Sequence, residues 1–118
     1  MFSIAVSPAY WWPVKVSVAA GGDDAGKVVT MDFQVEFVRM SEEDFEAFGR
    51  EVEAKRMPDR EIAQRVVRNW REVTGADGAS LPFSADSVAT ACNAVPGTDS
   101  AIVRAFFDSR RPAAEKNS

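Results

Sequence analysis

Histidine is absent from this chain of 118 residues, and cysteine occurs once, as Cys92. The lack of histidine removes the commonest general base and the commonest metal ligand. A single thiol excludes an intrachain disulfide and suits a reducing cytoplasm. No apolar run approaches the ~20 residues of a membrane helix, and residues 1–6 lack the basic start of a signal peptide. We therefore expect a cytoplasmic protein without a membrane span, metal or cofactor.

Positive charge is also in short supply, since 14 basic residues face 18 acidic ones and the net charge is −4. The one basic run, Arg110-Arg111 followed by Lys116, is short and lies near the end of the sequence. An acidic chain has little electrostatic attraction for a phosphate backbone. Nucleic acid is therefore not an expected partner.

The length and composition predict one globular unit. Hydrophobic residues make up 46% and charged residues 27% of the chain, which is the balance of a folded protein. Division into two domains would leave pieces too small to bury a useful core. We expect a single domain over residues 1–110 and a flexible polar tail over residues 111–118.

Two alternating segments predict a β-hairpin. Val14, Val16 and Val18 alternate with polar residues, and residues 31–37 repeat the pattern with Met, Phe, Val and Phe. The polar segment 21–26, with three glycines and two aspartates, predicts the turn between them. Pro13 is expected at the first position of the first strand, where its missing N–H is not needed.

The sequence after residue 40 predicts about four helices. Ser41 is an N-cap followed by acidic residues, and Pro58 ends this first helix. Asp59 caps a second helix, Ser84 a third, and Thr98 or Asp99 begins a fourth. The second helix is expected to carry the apolar residues Ile62, Val66, Val67 and Trp70, and the fourth Ile102, Val103, Phe106 and Phe107. The predicted fold class is therefore α+β, with a hairpin or small sheet packed on these helices.

Few residues qualify for catalysis. Cys92 has apolar neighbours at helical spacing and no histidine partner, which is typical of a buried structural thiol. Asp23-Asp24 has too few further oxygen ligands for a calcium loop. The glycines of residues 21–26 lack the following lysine and helix of a phosphate loop. The chain is thus predicted not to be an enzyme.

Aromatic residues are the better candidates for a functional surface. Tyr10, Trp11 and Trp12 are consecutive, and because side chains alternate along a strand, they cannot all face one core. At least one should lie at the surface, where aromatics are enriched among interface hot spots. We predict partner contacts first by these three residues and then by Phe106 and Phe107.

The ordered motifs resemble the small tail assembly chaperones of long-tailed bacteriophages and prophages. The similarity includes the opening through Pro8-Ala9-Tyr10 and Pro13-Val14, the strand 33–37 and the acidic helix start at residues 41–43. It continues from Trp70 through Asp77-Gly78 and residues 81–84, and ends with residues 105–107 and 115–117. Each motif is individually weak, and their order over nearly the whole chain carries the resemblance.

This resemblance implies a specific role in the cytoplasm of a bacterial host. Members of the family bind the tape-measure protein, deliver it with tail-tube subunits, and leave before the virion is complete. They can self-associate, and they have no catalytic residues. Two alternatives remain open from the sequence: a small protein-binding adaptor or inhibitor unrelated to tails, and an enzyme that uses Cys92 or a pair of carboxylates.

Overall fold

A long antiparallel hairpin forms the first part of the computed structural model, which describes residues 1–111. Strand β1 (Ala9–Ala19) pairs with β2 (Val28–Val38) along its whole length, from Ala9 opposite Val38 to Ala19 opposite Val28. The turn is closed by the Ala20 N–H, which donates to the Lys27 carbonyl at 2.9 Å. The predicted hairpin is confirmed, and its strands are longer than the alternation indicated.

Pro13 lies in the middle of β1 and not at its first position, so that detail of the prediction was wrong. The sheet order is β1-β2-β3, which makes β1 an edge strand. A proline is tolerated within an edge strand because one side of that strand has no neighbour that needs its N–H.

Helix α1 (Glu42–Lys55) begins where the sequence predicted. The Ser41 hydroxyl accepts a hydrogen bond from the Asp44 N–H at 3.1 Å, and three acidic residues occupy the first turn. The helix ends at Arg56, which adopts the left-handed conformation with φ 48°. Helix α2 (Asp59–Val66) follows directly after Pro58 and buries Ile62, Ala63 and Val66.

The second helix is shorter than predicted, because Val67 and Trp70 belong to a strand. Strand β3 (Val67–Arg71) pairs antiparallel with β2 and completes a three-stranded sheet. Its register places Val67 opposite Phe37 and Trp70 opposite Val35, with a bulge between them at Arg68. A bulge inserts one extra residue, so two inward-facing residues of this strand are three positions apart and imitate a helical repeat.

Two further helices cover the sheet. Helix α3 (Ala85–Ala94) begins with a capping box, in which the Ser84 and Ser87 side chains each bond the other residue's backbone N–H. Helix α4 (Thr98–Ser109) follows Gly97, whose φ of 95° favours glycine. Both helices were predicted close to these bounds.

The core lies between the helices and one face of the sheet. Along β1 and β2 the side chains of Val14, Val16, Val35 and Phe37 are buried, and they alternate with more exposed residues. Strand β3 adds Val67 and Trp70, and Met57 lies between α1 and α2. The helices contribute the rest of the buried set: Phe48, Ile62, Ala63, Val66, Val88, Cys92, Ile102 and Phe106. The predicted α+β fold is thus confirmed. Of the predicted flexible tail, residues 112–118 lie outside the described residues.

Candidate protein-binding groove

Tyr10 and Trp12 point toward the helices, on the same face of β1 as Val14. The Tyr10 hydroxyl is 2.6 Å from the Ser109 hydroxyl, and its ring lies 5.9 Å from that of Phe37. Trp12 packs against the core and lines a shallow cleft between β1 and α4. Both rings are half-buried by their own domain, so only part of each remains available to a partner.

Trp11 lies on the opposite face of the sheet, as the alternation required of at least one of the three aromatics. Its ring is covered by the Arg71 guanidinium, whose carbon is 4.1 Å from the ring centroid. Arg71 is itself held by Gln34, which accepts a hydrogen bond from the Arg71 Nε at 2.9 Å. Contact between Trp11 and a partner stays a prediction.

Phe106 and Phe107 do not form a common surface. Phe106 is 0% exposed and packs edge-on against Phe37 with centroids 5.2 Å apart. It belongs to the core, because the face of α4 that carries Ile102 and Phe106 is turned toward the sheet, and partner contact by Phe106 is therefore not compatible with this fold. Phe107 is 47% exposed and rests on Phe45 at 5.8 Å, so its partner contact also stays a prediction.

The fold also contains an open apolar groove that sequence reasoning did not identify. It has a volume of about 450 Å³ and lies between the outer half of the hairpin, α3 and the loop after β3. We call this cavity the groove. Its lining includes Val16, Met31, Phe33, Trp70, Leu81 and Val95. Such a volume is within the usual ~300–1,000 Å³ of binding sites, and its walls are mostly apolar.

The wall of the groove is built around Trp70. Its indole Nε1 donates to the Leu81 carbonyl at 2.8 Å, and its ring contacts Phe33 and Phe83 edge-on at 6.3 and 5.6 Å. Two hydrogen bonds shape the loop after β3. The N–H of Gly78, which has a φ of 79°, donates to the Gly75 carbonyl at 2.9 Å, and the Leu81 N–H donates to the Val73 carbonyl at 2.9 Å. The groove is therefore a preformed feature of the fold.

The groove is open because β3 is much shorter than β2. Strand β3 pairs only with residues 34–37 of β2, and Glu72 then adopts the left-handed conformation with φ 64°. This turns the chain away from the sheet. Among residues 1–111, no strand pairs with Val28–Phe33 on the side of β2 that faces away from β1. We call this stretch the open segment.

The rim of the groove combines exposed apolar and acidic side chains. Met31 at the rim is 41% exposed, and Val28 and Val29 next to it are also exposed. Asp32 and Glu72 are the acidic lining residues. An unpaired strand edge beside an apolar groove is a receptor for an added strand or a short apolar segment, while the two carboxylates disfavour acidic segments.

Among residues 1–111, the lining of the groove includes no cysteine, and its only carboxylates are those of Asp32 and Glu72. Cys92 is buried in the core, and this burial, helped by Asp99, raises the pKa of its thiol. A raised pKa lowers the thiolate fraction that a nucleophile needs. Within residues 1–111, no group of three or more Cys, Asp or Glu side chains is arranged to hold a metal ion.

The described residues also include no helix that is both long and apolar enough to cross a bilayer. In comparisons with known proteins, no protein-family model, curated protein sequence or solved structure was significantly similar to this chain.

Proposed function

We propose that this chain is a bacteriophage or prophage tail assembly chaperone, which binds the tape-measure protein and promotes assembly of the tail tube without remaining in the virion. The proposal combines two kinds of support. The first is the ordered sequence resemblance along nearly the whole chain. The second, which carries the structural side, is the open apolar groove beside an unpaired strand edge.

The groove suits the physical task of such a chaperone. A tape-measure protein is a long helical chain with apolar stripes, which aggregate when they are exposed to water. A preformed apolar groove can cover part of such a stripe, as in other helix-in-groove complexes. The net charge of −4 favours the solubility of the chain itself.

Coexpression with the tape-measure protein of the same gene cluster tests this proposal. We expect the soluble fraction of the tape-measure protein to rise several-fold when the wild-type chain is present. Met31→Asp should abolish the gain, because a carboxylate at the groove rim would have to be desolvated against an apolar stripe. Thr30→Asp is the matched control, since Thr30 is adjacent on β2, is exposed, and faces the other side of the sheet.

Equal solubility of the tape-measure protein with and without the chain would contradict the proposal. Equal activity of Met31→Asp and the wild type would show that the groove is not the binding site. Neighbouring genes also discriminate, because tail-tube and tape-measure genes beside this one are expected for a tail chaperone and not for an unrelated adaptor.

A further inference from the structure

The segment before β1 carries exposed apolar side chains in a strand-like pattern. Phe2, Ile4 and Val6 are 91%, 88% and 61% exposed, and they alternate with Ser3, Ala5 and Ser7. Residues 1–6, hereafter the N-terminal arm, include no charged side chain. If the arm were extended, its three large apolar side chains would lie on one side. This is the pattern of a strand with one buried face.

The arm projects from a fixed point on the domain. The Arg39 N–H donates to the Pro8 carbonyl at 2.9 Å, and the Arg39 Nε donates to the Ser7 carbonyl at 2.7 Å. Beyond this anchor the arm is bent, with the Val6 N–H donating to the Ile4 carbonyl at 3.0 Å. Phe2 and Ile4 thus remain largely in solvent, which is costly for side chains of this size.

The open segment and the groove are complementary to the arm. The open segment presents unpaired backbone groups, and the groove beside it presents apolar walls from Phe33, Trp70 and Val95. Added strands gain affinity from backbone hydrogen bonds and specificity from pockets for alternate side chains. The arm has no acidic side chain and therefore avoids repulsion by Asp32 and Glu72.

The arm is too short to place all three of its large apolar side chains in the groove of its own chain. The nearest row of the open segment is that of Phe33, five rows along the sheet from the Ala9–Val38 pair and on the far side of β2. This is about 17 Å along the strands and about 10 Å across them. Val6 and Ile4 lie three and five residues before Ala9. Extended segments of that length span at most about 10 and 17 Å, which is less than the straight-line distance of about 20 Å. A groove that receives Phe2, Ile4 and Val6 together must therefore belong to another molecule.

We propose that the N-terminal arm of one copy adds as a strand to the open segment of a second copy and places Phe2, Ile4 and Val6 in its groove. This proposal rests on the proposed function only in taking the groove as a site for a protein segment. It identifies a competing occupant for that site. Self-association would cover the apolar groove until the tape-measure protein displaces the arm.

Sedimentation of the full chain over a range of concentrations tests the proposal. We expect the wild type to form dimers or larger assemblies. Ile4→Asp should raise the dissociation constant by more than about tenfold, because a carboxylate would enter an apolar groove. Ser3→Asp is the charge-matched control and should have a much smaller effect than Ile4→Asp, since residue 3 faces away from the groove when residue 4 faces it and meets only the repulsion of the neighbouring carboxylates. Circular dichroism checks that both variants are folded.

Hydrogen exchange locates the contact. Amides of residues 28–33 should be protected in the wild type and exchange faster in Ile4→Asp, with little change elsewhere apart from the arm itself. A wild type that is monomeric at all concentrations would overturn the proposal. So would equal effects of Ile4→Asp and Ser3→Asp, or protection at another surface.

The two proposals fail separately in these experiments. Ile4→Asp keeps the groove intact and should therefore still raise the solubility of the tape-measure protein. Self-association without any effect on the tape-measure protein would contradict only the chaperone role. A monomeric wild type that solubilises the tape-measure protein would contradict only the docking of the arm.

Discussion

Adjacent aromatic residues in this chain occupy different environments, because the backbone directs neighbouring side chains to different sides. Tyr10 bonds Ser109 on the helix-facing side of β1, whereas Trp11 stacks with Arg71 on the other side. On α4, Phe106 is buried and Phe107 is half in solvent. Residue type alone therefore does not separate core from surface here.

Alanine substitution should separate the roles of Phe106 and Phe107. Phe106→Ala removes a fully buried ring and leaves a cavity, so we expect it to lower the free energy of unfolding by about 3–5 kcal/mol. Phe107→Ala is the control on the same helix and should cost about 1 kcal/mol or less, since the side chain is half in solvent and loses only edge contacts with Phe45 and Phe106. Equilibrium urea denaturation measures both. Similar losses for the two variants would contradict the assignment of Phe106 to the core.

The thiol of Cys92 should react slowly in the native protein. The side chain is buried, and burial raises the pKa of the thiol, so both access and thiolate fraction are reduced. At neutral pH we expect alkylation by iodoacetamide to be limited by unfolding and to accelerate strongly in urea. Mass spectrometry follows the reaction. Labelling of the native chain as fast as that of a small free thiol would revive Cys92 as a candidate nucleophile.

At the scale of elements, an ion-pair cluster connects α1 to α2. Both carboxylate oxygens of Glu51 accept hydrogen bonds from Arg65 at 3.0 Å, and Lys55 adds a further bond at 3.0 Å. These bonds, with that from Arg65 contributing most, lower the pKa of Glu51 from 4.5 to about 2. The two helices therefore share a charged contact at the surface, next to Phe48, whose ring centroid lies 5.4 Å from the Arg65 guanidinium carbon.

The ion pairs of Glu51 should make the free energy of unfolding depend on pH in acidic solution. Because the pKa is lower in the folded state, the folded state favours the ionised carboxyl. Its contribution is fully present above about pH 4.5 and is lost as the pH falls toward about 2. We expect Glu51→Gln to remove part of this loss, so that thermal melting temperatures of wild type and variant converge toward pH 2. Glu46→Gln, at an exposed position of the same helix, is the control, and an identical pH profile for Glu51→Gln and the wild type would contradict the prediction.

The sequence predicted elements well where the local signals agreed. The hairpin followed from alternation around a glycine-rich turn, and α1 and α3 from their serine caps. Strand β3 was missed because the bulge at Arg68 gives Val67 and Trp70 a helical spacing. The groove was not predictable, since it depends on where β3 ends relative to β2. At that end Glu72 adopts the left-handed conformation, which a glutamate in the sequence does not signal.

At the scale of the whole molecule, the hairpin extends beyond the part of the sheet that the helices and β3 cover. Its outer half carries the exposed residues Val28, Val29 and Met31, while the N-terminal arm leaves the sheet at the opposite end. An apolar donor segment and an apolar receiving site are therefore separated along one sheet. This separation disfavours internal closure and favours contacts between molecules, which is a useful property in a protein proposed to escort another chain.

Pro13 has a consequence for this arrangement. A sheet with two unprotected edges can stack edge to edge without limit, which is the first step toward cross-β fibrils. In this chain one edge strand, β1, is interrupted by a proline that cannot donate a hydrogen bond to an incoming strand. Continuous growth through β1 is thereby obstructed, which guards the chain against amyloid-like polymerisation.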